Sequence, residues 1–175
     1  LLRQGGSPAR LLIAGGNLDG EVAQRLRERV ARLRLTETVR FLGPVDQVEL
    51  PSYYSAADVC AMPSFYESFG MVAIEAMACG TPVVASRAGG LQFTVRDGET
   101  GYLTPPGDAP ALAHALAAIL NDRELSARMG AAAVAAAQEY SWDQVSRSIL
   151  ATYTETDGHR QEKPIEKRDA ALRHT

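Results

Sequence analysis

The chain is short of the residues that build metal sites, disulfide frameworks and nucleic-acid interfaces. Its 175 residues include two cysteines, three histidines and two lysines. Cys60 and Cys79 each sit in an apolar run, which reads as a reduced packing pair with cytosol as the default compartment. His114, His159 and His174 are scattered and give no metal-ligand spacing with two cysteines, so no metal is expected. The formal net charge is -3, and phosphate neutralisation needs a basic patch, so no nucleic-acid partner is expected. Apolar runs are also short. None approaches the roughly 18 residues of a membrane span, and residues 1–15 lack the basic start and apolar core of a secretory leader. The lysines, Lys163 and Lys167, both lie near the C-terminus, so the body up to Thr154 has arginine alone for positive charge.

What is present is a globular composition, 46% hydrophobic and 22% charged, enough for one medium domain with a sizeable core. Leu1-Leu2-Arg3 reads as a helix end, with Gly5, Gly6 and Pro8 as stop signals. Leu11-Leu12-Ile13-Ala14 then reads as a buried strand ending at Gly15-Gly16. Val22, Leu26, Val30 and Leu33 recur at helical spacing over 20–34. Further strands are expected at 39–43, 59–63, 82–86 and 102–104. Helices are expected at 46–57, kinked or broken by Pro51, and at 70–79, 91–96, 108–120, 122–138 and 142–154. The polar remainder, 155–175, cannot bury enough apolar surface to offset its ordering entropy and is expected to be a mobile tail beyond a 1–154 lobe.

Strands alternating with helices imply an α/β fold, a Rossmann-like parallel sheet with helices on both faces. Ligands of such sheets sit at the carboxyl ends of strands, here 15–17, 43–46, 64–72, 86–90 and 104–107. The most informative of these runs from Pro63 to Gly80. Within 70–80, Glu75 is the only charged residue, in a helix otherwise apolar on nearly all sides. A carboxylate there costs several kcal/mol unless it is paired or hydrogen-bonded. A sugar diol can satisfy it, each hydrogen bond to the charge contributing roughly 1.5–3 kcal/mol. An arginine of the chain can satisfy it equally well, and both readings stand at this point. Glu67 lies eight residues earlier, at the elbow entering the helix. Between the two acids, the first-turn amides of Phe69, Gly70, Met71 and Val72 have no intrahelical acceptor and make an anion site with the helix dipole. Gly70 removes a Cβ that would block close approach. A carboxylate on either side of an anion site suits a ligand with phosphate in the middle and polyols at both ends, the shape of a nucleotide-sugar.

Other motifs are weaker. Gly15-Gly16-Asn17-Leu18-Asp19-Gly20 follows a strand but lacks the spacing of a dinucleotide fingerprint and the acid about 20 residues on, so Gly15 and Gly16 are read as a turn lining the nucleotide pocket. Gly89-Gly90 reads as a tight turn, and Arg87 as a surface arginine within reach of a phosphate. Ser64 and Ser68 have no histidine near in sequence with which to form a triad.

The run resembles the signature of the retaining GT-B glycosyltransferases of family 4, in the form P-S-x-x-E-S-F-G-x-V-x-x-E-A-M-A-C-G-T-P-V-V-A. The likeness extends over roughly 11–153 and takes in Val39-Arg40-Phe41-Leu42-Gly43, Ser55-Ala56-Ala57-Asp58, Gly89-Gly90 and Asp97-Gly98-Glu99-Thr100-Gly101-Tyr102-Leu103. Leu91-Gln92-Phe93 stands where the family frequently has x-Pro-Glu. The resemblance implies the C-terminal, donor-binding lobe of a GT-B fold. Glu67 would meet the donor sugar as the catalytic-site acid. Phe69 and Gly70 would offer amides near the sugar, Met71 and Val72 amides would hold the diphosphate, Glu75 would take the ribose diol, and Val45 would meet the base through its backbone. The reaction would move a sugar from a nucleotide-diphosphate sugar to an acceptor hydroxyl with retention, without a cofactor or metal.

The resemblance also places the family's phosphate-clamping Arg and Lys on a first strand that would precede Leu11 in the chain. An acceptor lobe of roughly 150–200 residues would precede that strand. On this reading the first strand of the lobe is missing, the isolated chain is of low stability and inactive or very weak, and the acceptor is unknown. Some members of the family act at membranes, which leaves peripheral association open. Two rival readings are a non-catalytic nucleotide-binding or partner-docking module and a nicotinamide-dependent dehydrogenase. The second lacks its glycine fingerprint here.

Overall fold

The computed structural model describes residues 1–160. Leu1–Gln138 form one compact unit, and the residues from Glu139 onward a second. The first unit is an α/β fold of parallel strands flanked by helices. Its strands are β1 (Leu11–Ala14), β2 (Val39–Gly43), β3 (Cys60–Met62), β4 (Val83–Ser86) and β5 (Gly101–Thr104). Its helices are α1 (Glu21–Arg32), α2 (Leu50–Ala56), α3 (Met71–Ala78), α4 (Leu91–Thr94), α5 (Ala109–Asn121) and α6 (Arg123–Ala137). β1 pairs with β2 in one parallel sheet, and β3, β4 and β5 pair in that order in another. The second unit holds α7 (Trp142–Arg160), in which Ser146, Ser148, Thr152 and Thr154 donate their hydroxyls to carbonyls three or four residues back.

The chemistry of each boundary is visible. Ser7 N–H reaches the Leu2 carbonyl and Gly6 N–H the Arg3 carbonyl, with Gly6 left-handed, so 1–7 is the expected helix exit. α1 ends through the same bond pattern, with Arg34 taking the left-handed position at φ 56° that glycine usually fills. Asp108 and Asp122 cap α5 and α6, each carboxylate accepting a backbone N–H at 2.9 Å. Two expectations are corrected. The helix expected from Asp46 begins at Leu50 after a turn at 46–49, so Pro51 stands in the first turn, where its missing N–H is harmless, and breaks nothing. α7 runs to Arg160, six residues into the expected tail, whereas the sequence places the end of the helix at Thr154. Residues 161–175, the rest of that tail, lie outside the described residues.

Burial is uneven. Every residue of β4 is buried. Val84 joins Ala115, Ile119 and Met129 in a core that Val59, Tyr102, Leu112, Leu116 and Leu125 flank. α3 buries Ala73, Ile74, Ala76 and Met77. Gly130 of α6 presses so close to the Gly80 carbonyl that no side chain fits between them. The β1–β2 sheet is different. The amphipathic spacing of α1 is real, yet none of its residues is buried, and Leu11 and Leu12 are each about half exposed. The periodicity marks a face suited to burial, and the described residues leave that face uncovered.

Two outcomes follow from this distribution. In native-state hydrogen exchange of this chain, the β1 and β2 amides are expected to exchange well before those of β4, because local opening there exposes little additional apolar surface. Equal protection in the two sheets would contradict the unevenness. Burial also pushes the Cys60 thiol up to about 11. The folded thiol keeps its proton where the unfolded one, with a pKa of about 8.5, has lost it, so this contribution is complete below that value and is lost as pH climbs toward 11. Cys60→Ala should flatten the fall in Tm between about pH 8 and pH 11, and an unchanged slope would refute the assignment.

Candidate functional site

The site is built on the passage from β3 into α3. After Met62 the chain forms an elbow over 63–69 and enters α3 through Gly70, which holds a left-handed φ of 88°. The glycine is required there by conformation. Its absent Cβ would stand 2.9 Å from Leu91 Cδ2, so it faces α4 and not an incoming ligand, which corrects the expectation of a Cβ cleared for close approach. α4 and the turn before it are the seat on which the elbow rests. Gly90 N–H donates to the Glu67 carbonyl at 2.8 Å, and the buried Thr94 hydroxyl donates to the Phe69 carbonyl at 2.9 Å. A Cβ on Gly89 would overlap the Glu67 carbonyl oxygen, and one on Gly90 would stand 2.6 Å from Phe69 Cα. The two glycines are therefore a turn, as expected, and also the reason the elbow can lie where it does. Gln92 closes that turn by donating its side-chain amide to the Gly89 carbonyl at 3.0 Å.

The two acids differ in their surroundings. Glu67 is half-buried, and its Oε1 accepts the Gly70 N–H at 3.3 Å, so the carboxylate sits at the positive end of α3. Glu75 is half-buried one turn on, and its Oε2 accepts a hydrogen bond from the Tyr54 hydroxyl at 2.9 Å. The partner of the acid in the apolar helix is thus a tyrosine of α2. Burial, then the hydrogen bond to Glu75 and its charge, push the Tyr54 hydroxyl well above its ordinary value, so it remains a donor. The amides of Met71 and Val72 open α3 between the acids, and the side chains of Phe69, Met71 and Val72 are exposed.

The remaining candidates lie at other strand ends. Gly15 and Gly16 follow β1 with φ of 94° and 71°, and Val45 follows β2; Gly15 N–H donates to the Gly43 carbonyl at 2.6 Å, which ties the two exits together. They belong to the β1–β2 sheet, whereas Glu67 to Glu75 belong to the β3–β5 sheet. Arg87, at the end of β4, is held by an ion pair to Asp97 at 2.6 Å, and Asp97 also accepts the Leu103 N–H at 2.9 Å. The loop after β5 reaches the elbow, since Gly107 lies against the ring of Phe65. Among the described residues, no three His, Cys, Asp or Glu side chains gather as a metal set, and no helix is long and apolar enough to cross a membrane. Tyr54 and Thr94 carry no motif in the sequence. They become visible only through contacts across 21 and 25 residues.

Residues 1–135 match the family described as glycosyl transferases group 1. The chain is 46% identical over 129 residues to a D-inositol 3-phosphate glycosyltransferase of Streptomyces scabiei, covering 74% of this chain and 29% of that protein. It is 43% identical to the solved sucrose-phosphate synthase of Thermosynechococcus elongatus, with a TM-score of 0.77 over 86% of this chain and 39% of that one. It is 33% identical to Anabaena HepE, solved in complex with UDP, with a TM-score of 0.77 over 84% of this chain and 41% of that one. The chain spans about a third of the length of the curated relatives it matches.

The glycine seat has a direct test. Gly89→Ala adds a Cβ into the Glu67 carbonyl at a left-handed φ, whereas Gly98→Ala meets open space at a left-handed φ. Urea unfolding should show a loss of about 2–4 kcal/mol for the first and about 1 kcal/mol for the second. Equal losses would mean that the elbow does not rest on Gly89.

Proposed function

The chain belongs to the glycosyl transferases group 1 family, and from that premise we propose that it is the lobe of a retaining glycosyltransferase that holds the nucleotide-sugar donor. The observation that carries this reading is the pair of acids on either side of one open helix start, with Glu75 bonded to a neutral tyrosine and not to an arginine. A carboxylate accepting one phenolic hydrogen keeps most of its acceptor capacity for a ligand.

The spacing fits the ligand. Four residues of α3 separate Met71 from Glu75, a rise of about 6 Å, comparable with the span from a nucleotide's phosphates to its ribose diol. In this arrangement Met71 and Val72 amides donate to the diphosphate and the helix dipole opposes its charge. Glu75 accepts from the ribose hydroxyls. Glu67, at the elbow, accepts from hydroxyls of the donor sugar beside the Phe69 and Gly70 amides, and the Gly70 N–H that now binds Glu67 is available again when the acid turns to the sugar. Val45 offers its backbone to the base, and Gly15 and Gly16 line the approach. As the bond from sugar to diphosphate breaks, the amides that hold the leaving oxygens stabilise the charge that develops on them. An acceptor hydroxyl attacks the same face as that bond breaks and passes its proton to the departing diphosphate oxygen, which gives retention. The acceptor binds to groups of a further lobe, and the step as drawn calls for no metal.

The HepE relative was solved with UDP, which makes uridine diphosphate the first nucleotide to test beside guanosine and adenosine diphosphates. Calorimetry of the purified protein should show saturable binding of at least one of the three. Glu75→Ala should weaken that nucleotide by about 1.5–3 kcal/mol. An affinity unchanged by the substitution would remove Glu75 from the ribose and the donor reading with it.

A further inference from the structure

Tyr54 is the group outside the signature that touches the candidate site most directly. It is fixed at both ends. Its carbonyl accepts the hydroxyl of the buried Thr81 at 2.6 Å and the Ala57 N–H at 3.0 Å, and its own hydroxyl donates to Glu75 Oε2 at 2.9 Å. Thr81 is itself placed by α3, because its N–H reaches the Ala76 carbonyl in the helix exit, with Gly80 left-handed. A closed circuit results: α3 positions Thr81, Thr81 positions Tyr54, and Tyr54 returns to the one acid of α3. The phenol has a single proton, and an ionised carboxylate only accepts, so the direction of the bond is fixed.

We propose that Tyr54 is a positioning residue that holds the Glu75 carboxylate in the one rotamer able to accept both hydroxyls of a ribose, and so sets the preference for ribonucleotides over deoxyribonucleotides. The inference rests on the donor reading given above. With one lone pair of Oε2 committed to the tyrosine, the carboxylate keeps the other and both of Oε1, enough to accept from two vicinal hydroxyls. Without the phenolic hydrogen the carboxylate is free to rotate, and a ligand that needs both of its oxygens in one orientation must bear the cost of ordering it, whereas a single hydroxyl can bond it in several. Burial and the neighbouring carboxylate suppress ionisation of the Tyr54 hydroxyl, so it stays a donor throughout the neutral range.

The test uses Tyr54→Phe, which keeps the ring and removes only the donor. The probes are the tightest-binding of uridine, guanosine and adenosine diphosphate and its 2′-deoxy counterpart, titrated by calorimetry. Tyr54→Phe is expected to weaken the ribonucleotide by about 5- to 20-fold, to affect the deoxynucleotide by less than about 2-fold, and to add nothing in a Glu75→Ala background. A purely structural role would weaken both nucleotides alike, and that result overturns the proposal, as does an unchanged ribonucleotide affinity. The thermal transition supplies an independent arm, since it should stay intact in Tyr54→Phe while the ribonucleotide preference shrinks. If Glu75→Ala weakens the nucleotide and Tyr54→Phe does not, only the positioning role falls. If Glu75→Ala has no effect, the donor reading falls as well.

Discussion

Backbone meeting backbone at a distance that admits no side chain is the constraint on which the site depends. The elbow carrying Glu67 lies on Gly89 and Gly90 so closely that its carbonyl receives the Gly90 N–H, while Thr94 secures the next turn of chain through Phe69. This contact decides where α3 begins, and therefore where its unpaired amides point. Gly70 completes the turn with a left-handed conformation and its bare Cα against Leu91. Four glycine-dependent or hydroxyl-dependent contacts thus fix the start of α3 without any charged group. They hold neutral dipoles still, which is the condition under which such dipoles act on a phosphate.

The acid in the apolar helix is accommodated by the same economy. α3 has to be apolar because β4 beneath it is wholly buried and α6 packs across it through Gly130 and Gly80. Glu75 escapes the penalty of that setting by standing at the half-buried margin of the helix and taking a hydroxyl from α2. A guanidinium in place of the phenol would neutralise the carboxylate and occupy both of its oxygens. A phenol satisfies it while leaving its charge and most of its acceptor sites in place.

Much of this was legible in the sequence because it is local. The spacing of Glu67 and Glu75, the glycine at the head of α3 and the start of α5 at Asp108 are all set by residues within one or two helical turns. Strand positions were legible for the same reason, as short apolar runs bounded by turn residues. The parts that were not legible join distant segments. Tyr54 stands next to Tyr53, and nothing in the pattern says which of the two faces Glu75. Gly89-Gly90 has the composition of an ordinary turn, and only its collision with the elbow gives it a second role. The apolar periodicity of α1 correctly located a helix, but periodicity reports suitability for burial, and burial itself depends on what stands opposite. Pro51 does not break α2 because proline's effect reverses between the first turn of a helix and its interior.

The hydrogen bond from Gly70 to Glu67 has a consequence for how such a cradle waits. Its acid bends back to occupy the mouth of its own helix, as a tethered surrogate for an anion from outside. At 3.3 Å the bond is long, and Glu67 is the side chain that caps this turn from within it. The carboxylate thus fills, from within the chain, a place at the start of α3 that the helix dipole favours for negative charge.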